Sequence, residues 1–144
     1  MKLPDVNVLL FATNEGTAEH EVARSWLEAA FEEPGGVGFA WVALLGFMRL
    51  ATRRGIFTKP LAVEDALSVV RVWIDEPRAT VLHPTERHAQ LLARLLIPAG
   101  TSGNLTTDAH LAVLAIEHGA ILGSFDQDFE RFSGLAFEAL TARP

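Results

Sequence analysis

Short apolar segments of three or four residues alternate along this chain with longer segments whose apolar residues recur at helical spacing, and this alternation restricts the fold more than any other feature. The apolar segments Leu3–Val6, Val37–Phe39, Ala79–Leu82, Ala120–Gly123 and Ala136–Ala139 read as short strands, Val37–Phe39 as a buried one. Between them, helices are predicted from Val6 to Ala12, Glu19 to Phe31, Trp41 to Ala51, Val63 to Ile74, Thr85 to Leu96 and Asn104 to His118. Trp41–Ala51 is apolar nearly all round and is expected to be buried. Thr85 is the expected cap of its helix, with Pro98 beyond the end. Gly119 stands where a helix closes through a left-handed residue. Phe125–Phe132 reads as a loop or short helix. Strands separated by helices predict an α/β fold: a mostly parallel sheet with helices on both faces. In such sheets functional groups collect beyond the carboxyl ends of the strands.

The chain's 144 residues suit one domain, 1–144. It has no cysteine, which excludes disulfides, thiolate metal sites and cysteine nucleophiles. The longest apolar run, Phe39–Met48, is about half of the ~20 residues a membrane-spanning helix needs. The amino terminus lacks the pattern of a signal peptide. The expectation is a cytoplasmic protein with no membrane association. No phosphate-binding glycine loop, dinucleotide fingerprint or nucleophile elbow is present.

Acidic residues fall at the strand ends. Asp5 interrupts the apolar run Leu-Pro-Asp-Val-Asn-Val-Leu-Leu, where a carboxylate is costly unless paired or metal-bound. Asp126 follows the segment Ala-Ile-Leu-Gly-Ser, and Asp128 comes two residues later. Asp108 opens a very apolar helix. Converging, these carboxylates would repel each other unless a hard divalent cation such as Mg²⁺ joined them. Each also has a plainer reading: Asp108 as a first-turn acid favoured by the helix dipole, Asp126 and Asp128 as turn formers.

Three motifs resemble PIN-domain ribonucleases, in particular the VapC toxins of bacterial toxin–antitoxin pairs. They are Pro-Asp-Val-Asn-Val-Leu-Leu at 4–10, Asp-Ala-His-Leu-Ala-Val-Leu-Ala-Ile-Glu-His-Gly-Ala at 108–120 and Ser-Phe-Asp-Gln-Asp-Phe at 124–129, in matching order and spacing. The resemblance runs from about Lys2 to Phe137. It implies a PIN-like three-layer α/β/α sandwich that cuts RNA endonucleolytically by metal-activated water, with Mg²⁺ or Mn²⁺ in a carboxylate pocket. It also implies a homodimer and a VapB-type antitoxin that blocks the pocket. Asp5, Asp108 and Asp126 carry over as metal ligands and catalytic residues, with Asp128 as a further acid. Asn7, Ser124 and Arg49 carry over as supporting residues. Many PIN nucleases have a glutamate three residues before the arginine that Arg49 matches; here that position is Gly46. Its loss suggests one well-bound metal rather than two.

The formal net charge of −6 argues against polyanion binding, but it is unevenly spread. Between Pro34 and Val63 there is no acid, whereas Arg49, Arg53, Arg54 and Lys59 fall there. Arg53, Arg54 and Lys59 are thus candidate RNA contacts, the alternative being a solvated helix end. None of the five histidines has the spacing of a helical zinc site, and His110 should point away from Asp108. Trp26, Trp41 and Trp73 lie at core spacing and read as packing residues.

Two further functional readings stand beside the nuclease. One is a non-catalytic PIN-like module that binds RNA or a partner, motivated by Gly46. The other is a phosphotransfer enzyme with Asp5 as nucleophile, which lacks the second acid (Asn7) and a suitable later lysine.

Overall fold

The computed structural model describes residues 1–100 and 105–142. Its core is a sheet of five parallel strands in the order β3-β2-β1-β4-β5. The strands are β1 (Lys2–Pro4), β2 (Val37–Phe39), β3 (Ala79–Val81), β4 (Ile121–Ser124) and β5 (Phe137–Ala139). The helices are α1 (Val6–Thr13), α2 (His20–Glu32), α3 (Trp41–Ala51), α4 (Val63–Ile74), α5 (His88–Ala99) and α6 (Leu105–His118). A short 3-10 helix, Gln127–Arg131, joins β4 to β5. The expected α/β/α sandwich with a parallel sheet is what the chain forms.

Strand side chains alternate between faces, and the two cores follow that alternation. Val37 and Phe39 of β2 point into a cluster built from α1 to α4, with Leu9, Leu27, Leu44, Phe47 and Trp73. Leu3 of β1 and Leu122 of β4 point the other way, onto α5 and α6, with Leu91, Leu95, Leu111 and Leu114. Trp73 stacks on Phe39 and meets Phe47 edge-on, locking α4 to the sheet. At the sheet's other end, Trp26 lies on Gly123, in space that a Cβ at that position would need. Its indole N–H donates to Glu138, which also pairs with Lys2.

The β1–α1 junction shapes the rest. Pro4 ends the strand, and Asp5, in extended conformation, starts the helix at once by accepting from the Val6 N–H. The first strand therefore stops before Val6, which had been expected within it. The central pairing of β1 with β4 sets Pro4 beside Gly123 and so brings Asp5 to the end of β4.

Three expectations need correction. Helix α5 begins at His88, three residues later than expected, because the chain first makes a turn in which the Thr85 hydroxyl accepts from the Arg87 N–H and its carbonyl from the His88 N–H, while the hydroxyl donates to Glu117. Pro98 lies within α5 rather than beyond it. Only one helical residue follows it, and Gly100, at φ 78°, closes the helix by donating to the Leu96 carbonyl. Helix α3 is not buried all round, since Leu45 is 58% exposed and Trp41 42%. Trp41 is consequently not the packing residue its spacing suggested. The predicted start of α6 at Asn104 lies outside the described residues, whereas Gly119 does close it with φ 63°.

Gly123→Ala should lower stability by about 1–3 kcal/mol, the range for overpacking, because the Trp26 ring must move. Urea unfolding would measure it. Combining the change with Trp26→Leu should recover part of the loss; strictly additive losses would mean that the ring does not limit the space.

Candidate metal centre

Asp5 begins the site. It is only 7% exposed, and both of its carboxylate oxygens are occupied. Oδ1 accepts from the Val6 N–H at 2.7 Å and Oδ2 from the Ser124 hydroxyl at 2.7 Å. Burial raises its pKa, against the lowering effect of these two hydrogen bonds; the nearby charge of Asp126 raises it further.

Ser124, the last residue of β4, is fully buried and serves as the hub. While donating to Asp5, its hydroxyl accepts from Asn7 Nδ2 at 3.0 Å and from the Asp126 N–H at 2.9 Å. Asn7 Oδ1 in turn accepts from the Phe125 N–H at 3.2 Å. One hydroxyl thus fixes the turn after β4 to the start of α1. Asp126 caps the 3-10 helix, its Oδ1 accepting from the Asp128 N–H at 2.9 Å.

Asp108 stands in the first turn of α6 and completes the cluster. Asp5, Asn7, Asp108, Asp126 and Asp128 line one cavity of about 380 Å³, together with Val6, Leu105, Arg131 and Phe132. The Asp108 carboxyl is pushed up to about 6, first by burial and then by the charges of Asp5, Asp126 and Asp128, with Arg131 opposing. A second cavity, about 450 Å³, opens beside it and shares Asp5, Val6 and Asp108; Gly46 and Arg49 are among its walls. A Cβ at Gly46 would sit 3.0 Å from Val6 Cγ2, so Val6 fills the space where a glutamate side chain would begin.

The structure therefore brings Asp5, Asp108, Asp126 and Asp128 together as the sequence suggested, with Arg131 in the same cavity and Arg49 in the adjoining one. The donor set is all carboxylate oxygen, which suits a hard cation such as Mg²⁺. The acids face one cavity without closing on one point: among the described residues, no three His, Asp or Glu side chains are drawn in to coordination distance. Arg53, Arg54 and Lys59 are exposed in the turn after α3 and are not among the lining residues of either cavity.

Two features escaped the sequence reading. Arg131 is one; in a 3-10 helix residues three apart share a face, so Asp128 and Arg131 fall together. The other is a chain of hydrogen bonds from Glu117 to His88 (2.9 Å) and from His88 to His110 (2.8 Å). His110 does point away from Asp108, as expected, but its partner is 22 residues distant and no local spacing announces it.

A family model described as PIN domain matches residues 2–135. The chain belongs to the PIN-domain family. Within that family its relatives include VapC proteins of Mycobacterium tuberculosis. Ribonuclease VapC37 is 48% identical over 138 residues, covering 96% of both chains. Ribonuclease VapC33 is 37% identical over 135 residues, covering 94% of both. Among solved structures, M. tuberculosis VapC20, described as a Sarcin-Ricin loop cleaving toxin, superposes with a TM-score of 0.68 at 19% identity, covering 94% of this chain and 99% of that one. VapBC2 from Rickettsia felis, bound to a DNA fragment from its promoter, gives 0.69 at 16% identity, covering 97% and 98%. These two likenesses bear out the PIN fold.

The raised Asp108 pKa contributes to the pH dependence of this PIN domain without metal. Its folded value, about 6, lies above the ordinary 3.8, so the folded state holds the proton more tightly than the unfolded chain. The stability this proton confers is complete below about pH 4 and is lost as pH rises through about 6. In chelator, Asp108→Asn should therefore gain stability over the parent at neutral pH, and the gain should vanish in acid. Urea midpoints across that range would check it; a constant difference would mean that Asp108 does not carry the excess charge.

Proposed function

We propose that the chain is the toxin of a type II toxin–antitoxin pair and cuts RNA endonucleolytically at the acidic pocket with Mg²⁺, or Mn²⁺ in its place. The observation that carries this reading is the shared pocket of Asp5, Asp108, Asp126 and Asp128, where burial first and then the charges of the other three acids push the Asp108 carboxyl up to about 6. The relatives named as ribonucleases support RNA as the substrate.

Asp5, Asp108 and Asp126 are the residues that would hold the ion, with Asp128 beside them. The ion supplies an activated water and charge stabilisation at the phosphodiester. The chain's residues do the positioning. Ser124 orients Asp5 and ties it to the turn that carries Asp126. Asn7 steadies that hydroxyl, and Val6, Leu105 and Phe132 give the pocket apolar walls. Arg131 in this pocket and Arg49 in the adjoining cavity place positive charge beside the acids, where a phosphate and its neighbours would lie. With Gly46 in place of a glutamate, and Val6 in the adjoining space, one tightly bound ion is the expected complement.

The partners we propose are the RNA substrate, an antitoxin of the VapB type and a second copy of the chain. Solved VapBC assemblies such as those of Rickettsia felis and Haemophilus influenzae share the fold. The apolar wall of the second cavity, with Val42, Leu45 and Leu50 beside Asp5 and Asp108, suits an antitoxin segment that covers the acids. No described helix is long and apolar enough to cross a membrane, and a cytoplasmic site of action is part of the proposal.

Induction in a bacterial host tests the central claim. The parent should arrest growth, and Asp5→Asn at equal expression should not. Arrest by both would favour harm through binding, as a non-catalytic module would act.

Metal binding should raise the melting temperature, because the ion binds only the folded state. With Mg²⁺ at about ten times its dissociation constant, the gain of ~1.4 kcal/mol corresponds to a few degrees. The shift should grow as pH rises through about 6, since the ion competes with the proton on Asp108. Ser124→Ala should keep the fold but lose about 10–100-fold in metal affinity or activity, as is usual when a ligand's orienting partner is removed. Unchanged metal affinity and cleavage in that variant would show that the hub does not position Asp5.

A further inference from the structure

We propose that a cavity beside the acidic pocket, walled by Arg94 and Arg131, is a subsite for a phosphodiester that flanks the one being cut; this rests on the ribonuclease reading above. The cavity, about 400 Å³, lies between the end of α5 and the turn after the 3-10 helix. That volume suits a nucleotide-sized group.

Its chemistry is the reverse of the acidic pocket. Arg94 reaches it from α5 and Arg131 from the 3-10 helix, with Ser133 next to them; Leu95 and Pro98 contribute apolar surface. No Asp or Glu among the described residues lines it. Among the described residues neither arginine is paired with a carboxylate, whereas Arg24, the arginine of α2, holds two. Two unpaired guanidinium groups around one hollow form a site for phosphate, which they bind by paired N–H donors. A hydroxyl and an apolar floor suit the sugar and base attached to it.

Position chooses RNA over an acidic protein as the ligand. Arg131 and Phe132 wall both this cavity and the acidic pocket, so the two hollows are neighbours with a common partition. A strand with one phosphodiester at the acids continues directly past Arg131 into the second hollow. The sequence pointed to Arg53, Arg54 and Lys59 for this role, but they crowd into one turn, whereas Arg94 and Arg131 come from segments 37 residues apart.

Arg94 is the probe, because it lines only the flanking cavity and not the pocket of the acids. Binding of a short fluorescein-labelled single-stranded RNA pool of randomised sequence is measured by anisotropy in chelator, so that nothing is cut, over a range of NaCl concentrations. Arg94→Gln should weaken binding several-fold and reduce the salt slope by about 0.7, the value for one single-strand phosphate contact. Arg94→Lys should keep the slope, and Arg71→Gln, an equal loss of charge on exposed α4, should change neither. In cleavage by the metal-loaded protein, Arg94→Gln should raise KM with kcat unchanged.

Equal effects of Arg94→Gln and Arg71→Gln would overturn the subsite and leave only net charge. Cleavage by Arg94→Gln with unchanged KM would overturn it while the ribonuclease reading stands. If the parent neither binds nor cuts RNA, that reading falls and the subsite with it. Stronger dependence of polyglutamate binding than of RNA binding on Arg94 would overturn it in favour of an acidic protein.

Discussion

The hydrogen bond from the Ser124 hydroxyl to Asp5 joins the two central strands at the point where chemistry is possible. Parallel strands β1 and β4 are neighbours although nearly the whole chain lies between them. Their pairing sets Pro4 beside Gly123, and the next residue on each strand is then Asp5 on one side and Ser124 on the other. A buried carboxylate there is tolerable only because both oxygens have donors. The same hydroxyl receives the Asp126 N–H, so the strand pairing positions two of the acids at once. Helix α6 brings the third, because its apolar middle must lie against Leu3 and Leu122 and its first turn then falls over the strand ends.

Much of this was legible because it depends on local pattern. β2, α3 and α4 have the limits their apolar spacing suggests, and Asp5 stood out as a charge inside an apolar run. What was not legible depends on contacts between distant residues. Nothing near Thr85 shows that Glu117, 32 residues on, will accept from its hydroxyl and hold the turn before α5. His88 and His110 are neighbours only because α5 and α6 pack together. Trp41 has the spacing of a core residue, yet it is the first residue of α3 and lies 42% exposed, while Ala43, Leu44 and Phe47 take the buried side. Arg131 was missed for a different reason: a helix of five residues is too short to show a period.

The arrangement also resolves how a chain of net charge −6 can approach RNA. Net charge governs approach from a distance, but within about a Debye length of ~8 Å the local groups decide. Four carboxylates line the pocket together with Arg131, and Arg49 lines the adjoining cavity that shares Asp5 and Asp108. One divalent cation and these two arginines would balance the four negative charges, leaving a neutral patch where the acids alone would repel a phosphate. His110, on α6 two residues from Asp108, adds nothing to the balance, since burial and the neighbouring His88 hold its pKa low. A glutamate at position 46 would upset that balance by one charge, so Gly46 and a single tightly bound ion belong to one solution. On this view the missing acid is matched to the metal count, and the packing of Val6 over Gly46 is the structural side of the same choice.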